Sequence, residues 1–514
     1  MLKMVDGTGI IGVDMVCPLG GTVSPPQPPN YDNVEMEGVG SLMLPNSLKA
    51  PLERLELIGN SVQGENPAPD NPQEIKSAGR KSRNLFDITK LPLNHDGTKF
   101  VIPETALNTF IFEEHQFEEN TQYTLSAQKV TSKNEQSAII RFYYTDGTRS
   151  EINVKNLETK SLTSISGKTV DYLLIGNPYK AEHEVFGLQL EKGTTATDYE
   201  PYGYLLDVKV TGKNLFNLTD NYIWGWFAGY QTQISLYSVN AVVYMPCKPN
   251  TTYTIYGRTN INGNNNVKNR VATANDFPAG GTKLHNITET QLSNPVTITT
   301  DELSKYLVIM AVTDNECDMS TREQVLKKNV SKMMVIIGNA PTSYEPYTEQ
   351  TVQIALDEPL RGIGEYKDML TKDGVVRRIL EAPLVKYLKP VINGNVGNRY
   401  VFAEVPNANI NYDRERCMSN VGFTNSTEKK KYIPHPYQLN FLIRVADDDT
   451  IEMVKEKIKD IIVAYTAKEP ITEPLPESVQ QQLQALHSEN GVTHIFVDSG
   501  EVPCGIKLTY RKEK

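Results

Sequence analysis

Apolar positions along this chain come in short runs, many of them β-branched or aromatic and bounded by Gly, Asn, Asp or Pro. Residues 137–145 (SAIIRFYYT) end at Asp146-Gly147, a pair favoured in tight hairpin turns, and a second run, 150–154, follows at once. Residues 253–256, 295–300 and 307–312 have the same character, and no long helical period separates them. The pattern predicts antiparallel strands rather than helices over most of the chain.

Part of this pattern occurs twice. Arg83-Asn84-Leu85-Phe86 recurs as Lys213-Asn214-Leu215-Phe216, and Asn120-Thr121-Gln122-Tyr123-Thr124-Leu125 as Asn250-Thr251-Thr252-Tyr253-Thr254-Ile255. The offset is the same, since 39 residues separate Asn84 from Tyr123 and Asn214 from Tyr253. Tyr199-Glu200-Pro201-Tyr202 and Tyr344-Glu345-Pro346-Tyr347 close the two units, each after an apolar strand and a glycine. A repeat fixes domain boundaries better than composition does. It places β-sandwich repeat 1 at 84–204 and β-sandwich repeat 2 at 213–348, sizes that suit sandwich or jelly-roll domains.

Residues 1–83 read as an N-terminal arm or docking segment. Pro25, Pro26, Pro28 and Pro29 disfavour helix and central strand there, while 52–58 is a strand candidate that packs on the first sandwich. Residues 349–380 read as a connector hairpin turning at Thr371-Lys372-Asp373-Gly374. Residues 381–514 form a C-terminal α+β domain. Its helices are expected at 450–460, with Asp449 and Glu452 at capping-box spacing, and at 477–487, followed by strands at 493–497 and 505–510 around Asp498-Ser499-Gly500. The expected fold is thus mainly β: two tandem jelly-roll-like sandwiches, an arm and an α+β end.

Composition narrows the function classes. The 514 residues carry 52 Lys and Arg against 62 Asp and Glu, a net charge of −10 that disfavours an extended nucleic-acid-binding surface. Cys17, Cys247, Cys317, Cys417 and Cys504 are scattered, with neither zinc spacing nor a disulfide framework, so they read as reduced thiols. Asp6 and Asp14 interrupt any signal-peptide core, and no apolar run approaches the roughly 20 residues that span a bilayer. A soluble, cytoplasmically made chain without membrane insertion is expected.

The opening (K/R)NLF, the middle NTxYT(L/I) and the closing YEPY resemble tail or baseplate-associated structural proteins of bacteriophages and prophages of Gram-positive hosts. The leader 55–63 (LELIGNSVQ) with 66–72 (NPAPDNP), the segment 359–368 (PLRGIGEYKD), and 462–465 with 472–476 extend the resemblance beyond the repeats. It implies repeats like carbohydrate-binding-module jelly rolls, no enzymatic activity, and a place in the virion tail after assembly in the host cytoplasm. Its implied partners are other tail or baseplate proteins, further copies in a homotrimer or higher homo-oligomer, and host cell-surface glycan. A capsid fibre or decoration protein has the same architecture. A polysaccharide-degrading enzyme with accessory sugar-binding modules is the rival from another class.

Candidate sites are few. Tyr222, Trp224, Trp226 and Tyr230 cluster in repeat 2, where flat apolar faces with polar edges suit stacking on sugar rings. The plainer reading is that alternate residues of one strand share a core face. The YEPY tyrosines read as structural closure, with rings over the sandwich edge. The seven histidines show no metal spacing, and the carboxylates at 113–119 and 447–449 read as solvated turns or a helix start. No cofactor is expected beyond a possible structural calcium ion, for which no ligand set stands out. Residues 260–269 (NINGNNNVKN) read as an exposed loop.

Overall fold

The computed structural model describes residues 32–512 except 48, 92, 96–98, 105–109, 114–116, 133–137, 155–159, 177–181, 220, 229–231, 260–267, 293, 313–316 and 425–430, together with the strand pair Lys3–Val5 and Ile10–Gly12. The four N-terminal prolines and most of the 260–269 loop lie outside the described residues. Of that loop, Lys268 and Asn269 begin a strand rather than extend a turn.

Both repeats are two-sheet sandwiches of one topology. In repeat 1, Ala138–Tyr144 pairs with Arg149–Val154 and Val170–Gly176, while Tyr123–Ser132 pairs with Lys160–Thr163 and His183–Lys192. In repeat 2 the counterparts meet in the same order: Lys268–Ala274 with His285–Gln291 and Tyr306–Val312, and Thr252–Tyr256 with Val296–Thr299 and Met334–Ile337. Alternation along each strand sends one side chain in two to the space between the sheets. That space holds Tyr123, Leu125, Phe142 and Leu190 in repeat 1, and Tyr253, Ile255, Ile309 and Val335 in repeat 2. Repeat 2 adds the edge strand Tyr222–Ala228 and a helix, Arg322–Asn329, which the strand-dominated pattern did not predict and which buries Val325 and Leu326.

The repeated motifs are hydrogen-bonding devices. The Asn84 amide donates to the carbonyls of Leu188 (3.2 Å) and Glu200 (3.0 Å), and its oxygen accepts from the amides of Phe86 (2.9 Å) and Leu190 (3.1 Å). Asn214 repeats this with Met333 (3.3 Å), Glu345 (3.1 Å), Phe216 (3.0 Å) and Val335 (3.2 Å). One buried asparagine therefore ties the opening segment of each sandwich to its closing strand and to YEPY. The basic residue before it meets the YEPY glutamate, Arg83 with Glu200 at 2.8 Å and Lys213 with Glu345 at 3.5 Å. Asn120 and Asn250 sit at φ 53° and 50°, a left-handed turn that Asn tolerates better than most residues. In the two YEPY motifs Glu200 is buried, Tyr199 and Tyr347 are half-buried and Tyr202 and Tyr344 are exposed, with the Tyr344 hydroxyl donating to the Ser331 carbonyl (3.2 Å), so the glutamate clasp works beside the rings.

The segments outside the repeats are not independent units. Glu349–Leu356, Tyr204–Thr211, Gly491–Asp498 and Ser41–Ser47 form one sheet, with Arg80–Lys81 beside the second of these. Asp32–Val39, Gly505–Lys512, Arg54–Ile58, Met369–Thr371, Gly374–Pro383, Ile462–Pro474 and Cys417–Ser419 form the other. Leu44, Leu57, Leu206, Ile354, Leu370 and Ile506 lie in the core they share. The arm, the connector hairpin and the C-terminal strands thus make a single discontinuous sandwich, a frame, and 54–58 packs into it rather than onto repeat 1.

Three units are inserted into the frame, each entering and leaving through an antiparallel pair. Repeat 1 lies between Lys81 and Tyr204, repeat 2 between Thr211 and Glu349, and a smaller unit, 384–461, between Pro383 and Ile462. The smaller unit packs on the frame: Val401, Phe441, Ile443 and Val454 share one core with Ala382, Val463 and Tyr465 of the two frame strands, and its Cys417–Ser419 is an edge strand of the frame sheet. Its helix, Ile451–Lys457, is capped by the Thr450 side chain, one residue after the expected Asp449. Asp449 is instead buried, accepting from the Tyr432 hydroxyl (2.6 Å) and the Ala446 amide (2.8 Å) and pairing with Lys457 (2.5 Å). The second expected helix is Glu477–Ala485.

The PLRGIGEYKD segment locks the frame. Asp368, fully buried, accepts from the backbone amides of Arg361 (3.0 Å), Arg378 (2.7 Å) and Ile379 (2.9 Å), and faces the buried Arg377 guanidinium at 3.4 Å. Gly59 of the leader passes so close that a Cβ there would stand 2.2 Å from the Arg361 carbonyl oxygen, which is why no larger residue fits.

Repeat 2 meets the frame through strand Gly491–Asp498. Phe496 packs against the core of the repeat, Lys248 Nζ lies 5.3 Å from its ring centroid, and His494 stacks on it at 6.0 Å. His494 is buried, and its Nδ1 has no hydrogen-bond partner among the described residues. Burial, then the Lys248 charge, pushes its pKa down from 6.5 to about 4. The unfolded chain therefore binds the extra proton between those two values, so stability is retained above pH 6.5 and lost as pH falls towards 4. Thermal melts should show an acid-side loss worth about 3 kcal/mol from this one group. In His494→Leu, melting should depend less steeply on pH over that window; an unchanged slope would contradict the assignment.

Candidate functional site

The aromatic strand of repeat 2 is divided by its own geometry. Tyr222 and Trp224 pack against the core of the repeat, with their rings edge to face at 5.6 Å. The Arg322 guanidinium, brought by the helix, lies 4.2 Å from the Trp224 ring centroid and occupies that face. Between Trp224 and Gly225 the register slips, the partner residue changing from Ala241 to Leu236. Gly225 is required there, since a Cβ would stand 2.8 Å from the Ser235 carbonyl oxygen. Beyond the slip Trp226 is 42% exposed, while Phe227 turns into a second small core with Ile234, Val242 and Met310. Tyr230 lies outside the described residues. Of the four rings named from sequence, Tyr222 and Trp224 are structural and Trp226 is the one open to a ligand.

The outer face of the same five-stranded sheet is not an open groove. Residues 275–284 cross it, held by Gly281 N–H to the Ile234 carbonyl (2.7 Å), Ile234 N–H to the Thr282 carbonyl (2.9 Å) and Leu284 N–H to the Thr232 carbonyl (2.9 Å). Phe277 in this crossing is exposed and meets the rings of Tyr244 and Tyr306 edge to face at 5.3 and 5.8 Å. Sequence reading missed this trio because its members are far apart in the chain and only their strand register brings them together.

The buried carboxylates are committed to structure. The buried carboxylates among the described residues are Asp87, Glu191, Glu200, Asp368 and Asp449. Each closes a local bond: Asp87 with Thr89, Glu191 with Thr197, Glu200 with Arg80 and Arg83, and the last two as above. Glu118 pairs with Lys192 at 2.5 Å. Among the described residues no three His, Cys, Asp or Glu side chains gather as a metal site, and no helix is long and apolar enough to cross a membrane. A cleft of about 1210 Å³ opens on the frame, lined in part by Lys76, Arg80, Arg361, Glu381 and Glu501. Several of its charges are paired, Lys76 with Glu501, Arg80 with Glu200 and Asp207, and Arg361 with Glu358 and Glu381.

No protein-family model and no curated protein matches the chain. Among solved structures it is similar to the N-terminal CBM22-1-CBM22-2 tandem domain of Xyn10C from Paenibacillus barcinonensis, at 8% identity and a TM-score of 0.14, covering 57% of this chain and 96% of that one. So loose a likeness carries no argument about binding. The sheets themselves define the class: a mainly β protein in which two sandwiches of one topology and a smaller unit are inserted into a discontinuous third sandwich.

The two tryptophans should be separable in solution. Trp226→Phe is expected to remove most of the acrylamide-quenchable emission and leave the melting temperature within about 2 °C. Trp224→Phe should spare the quenchable emission and lower the melting temperature. The reverse pattern would exchange their roles.

Proposed function

We propose that this chain is a non-enzymatic structural component of a bacteriophage tail or baseplate, which holds its two sandwich repeats towards a host cell and attaches to cell-surface glycan through repeat 2, with Trp226 as a contact residue. The observation that carries the reading is the linker between the repeats. It is the strand Tyr204–Thr211, hydrogen-bonded on both sides within the frame, so the repeats are borne at set positions rather than on a flexible tether. Such a bearing suits display and multivalent attachment. Copies in a homotrimer or higher assembly would multiply a weak single-site affinity without new contacts.

Three further points support it. The motifs shared with phage tail proteins are the ones that close the sandwiches and lock the frame, which makes the resemblance one of architecture. The buried carboxylates are tied to structural partners, which removes them as an acid and base pair for glycoside cleavage. Trp226 presents an exposed indole on a rigid sandwich edge.

The test is sedimentation of the purified full chain with a panel of Gram-positive cell-wall preparations, with the supernatant assayed for released reducing sugar. The expected result is retention on at least one preparation, no release, and an approximately tenfold loss of retention in Trp226→Ala. Released oligosaccharide would favour the polysaccharide-degrading alternative. Absence of retention on every wall would leave a purely architectural component and overturn the attachment reading.

A further inference from the structure

The inserted unit 384–461 carries a second aromatic surface, which its own fold does not use. It has a three-stranded sheet, Tyr400–Ala403, Asn440–Arg444 and Pro434–Tyr437. Alternation sends Val401, Ala403, Phe441 and Ile443 into the core and leaves Tyr400, Phe402 and Tyr437 half-buried on the opposite face. These rings form a row with Tyr412. Centroids are 5.3 Å apart from Tyr400 to Phe402, 5.5 Å from Phe402 to Tyr437 and 5.0 Å from Tyr437 to Tyr412. Among the described residues none of the four belongs to a hydrophobic core cluster, and Tyr412 is 50% exposed.

The end of the row is held at a conformational cost. Asn411 and Tyr412 lie at φ 42° and 63°, and Gln438, beside Tyr437, at 51°. A left-handed aromatic residue is a true outlier, costing on the order of 1–3 kcal/mol. It persists because the Asn411 amide donates to the Gln438 carbonyl (2.6 Å) and the Asp413 amide to the Ile410 carbonyl (2.8 Å). The two turns are thereby pinned together and the Tyr412 ring is set against Tyr437. Burial does not explain the strain, since the ring it positions stays half in solvent.

The chemistry of the row selects a ligand class. Three of its four rings carry hydroxyls, and Asn411 and Gln438 are exposed at its end. An apolar peptide or an acyl chain would strip water from these groups without replacing their hydrogen bonds. A pyranose instead offers apolar C–H groups to the ring faces and edges left open and hydroxyls to the rim. Charge agrees: residues 384–461 hold twelve Lys and Arg against ten Asp and Glu, a net +2 in a chain of −10, so phosphate or carboxylate groups on the glycan are not repelled. We propose that the row Tyr400, Phe402, Tyr437 and Tyr412, whose rings meet edge to face or tilted, is a glycan-binding surface that takes a hexopyranose chain along its ring faces and edges, with Tyr412 held in its strained conformation as the terminal stacking ring. The site lies on a different unit from Trp226 and does not rest on the reading of repeat 2.

Affinity electrophoresis of the full chain tests it, in native gels cast with laminarin, galactan, polygalacturonate or a phosphate-bearing Gram-positive wall polysaccharide. The wild type should be retarded in at least one gel. There, Tyr412→Ala and Phe402→Ala should each weaken retardation about tenfold or more, while Trp226→Ala should remain retarded. Tyr412→Gly, which relieves the strain, should lose retardation and melt at or above the wild-type temperature. If Phe402→Ala fails to fold, the Tyr412 variants decide. Absence of wild-type retardation in all four gels overturns the proposal. So does wild-type retardation of the Tyr412 variants, or loss of binding in Trp226→Ala alone, which would return the glycan to repeat 2.

Discussion

Eight residues, Tyr204–Thr211, determine how the rest of the molecule is arranged. As the link between two homologous sandwiches they would serve as a loose tether in a string of domains. Here every residue pairs with Glu349–Leu356 on one side, and five of them pair with Gly491–Asp498 on the other. A backbone that satisfies its amides and carbonyls in a central sheet position has no conformational freedom to spare. The strand that follows repeat 2 and a strand close to the C-terminus are therefore needed to fix the segment that follows repeat 1. The three insertions share one anchoring logic, an antiparallel pair at the point of entry and exit.

Within that arrangement the shared motifs acquire a physical meaning. Asn84 and Asn214 each use a full amide to join three segments of a sandwich, a task for which a purely apolar side chain has no donors or acceptors. Asp368 does the same for the frame, trading backbone amides and the Arg377 charge for its own desolvation. The repeated and locking motifs are thus the residues that hold the architecture. The surfaces able to meet a ligand, Trp226 and the row ending at Tyr412, lie outside them.

Much of the fold was legible. The duplicated motifs gave both sandwiches, and local signals gave many of their strands: Asp146-Gly147 turns with Gly147 at φ 79°, and Gly500 at φ 79° turns the chain from one sheet of the frame to the other. The frame was not legible, because alternation says which face of a strand is apolar and not which strand lies beside it. Leu57, Leu206, Ile354 and Ile506 look like four local strands in sequence and form one core only in space. The candidate site was half legible for the same reason. Spacing puts Tyr222, Trp224 and Trp226 on one face, but the guanidinium that covers Trp224 comes from Arg322, on a helix nearly a hundred residues on. At the helix start, capping-box spacing pointed to Asp449, and Thr450 caps instead because tertiary bonds claim Asp449. Tyr412 gave no local sign, because a left-handed tyrosine is imposed by the neighbouring turn and not by its own preference.

Amide hydrogen exchange over residues 204–211, read against the core strands of the two repeats, tests the central claim most directly. Amides paired on both sides of a central strand should exchange as slowly as those of Tyr123–Ser132 and Tyr306–Val312, because opening them requires the frame to come apart. Exchange at the rate of an exposed linker, with the repeats still protected, would mean that the two sandwiches are tethered beads and that no frame holds them.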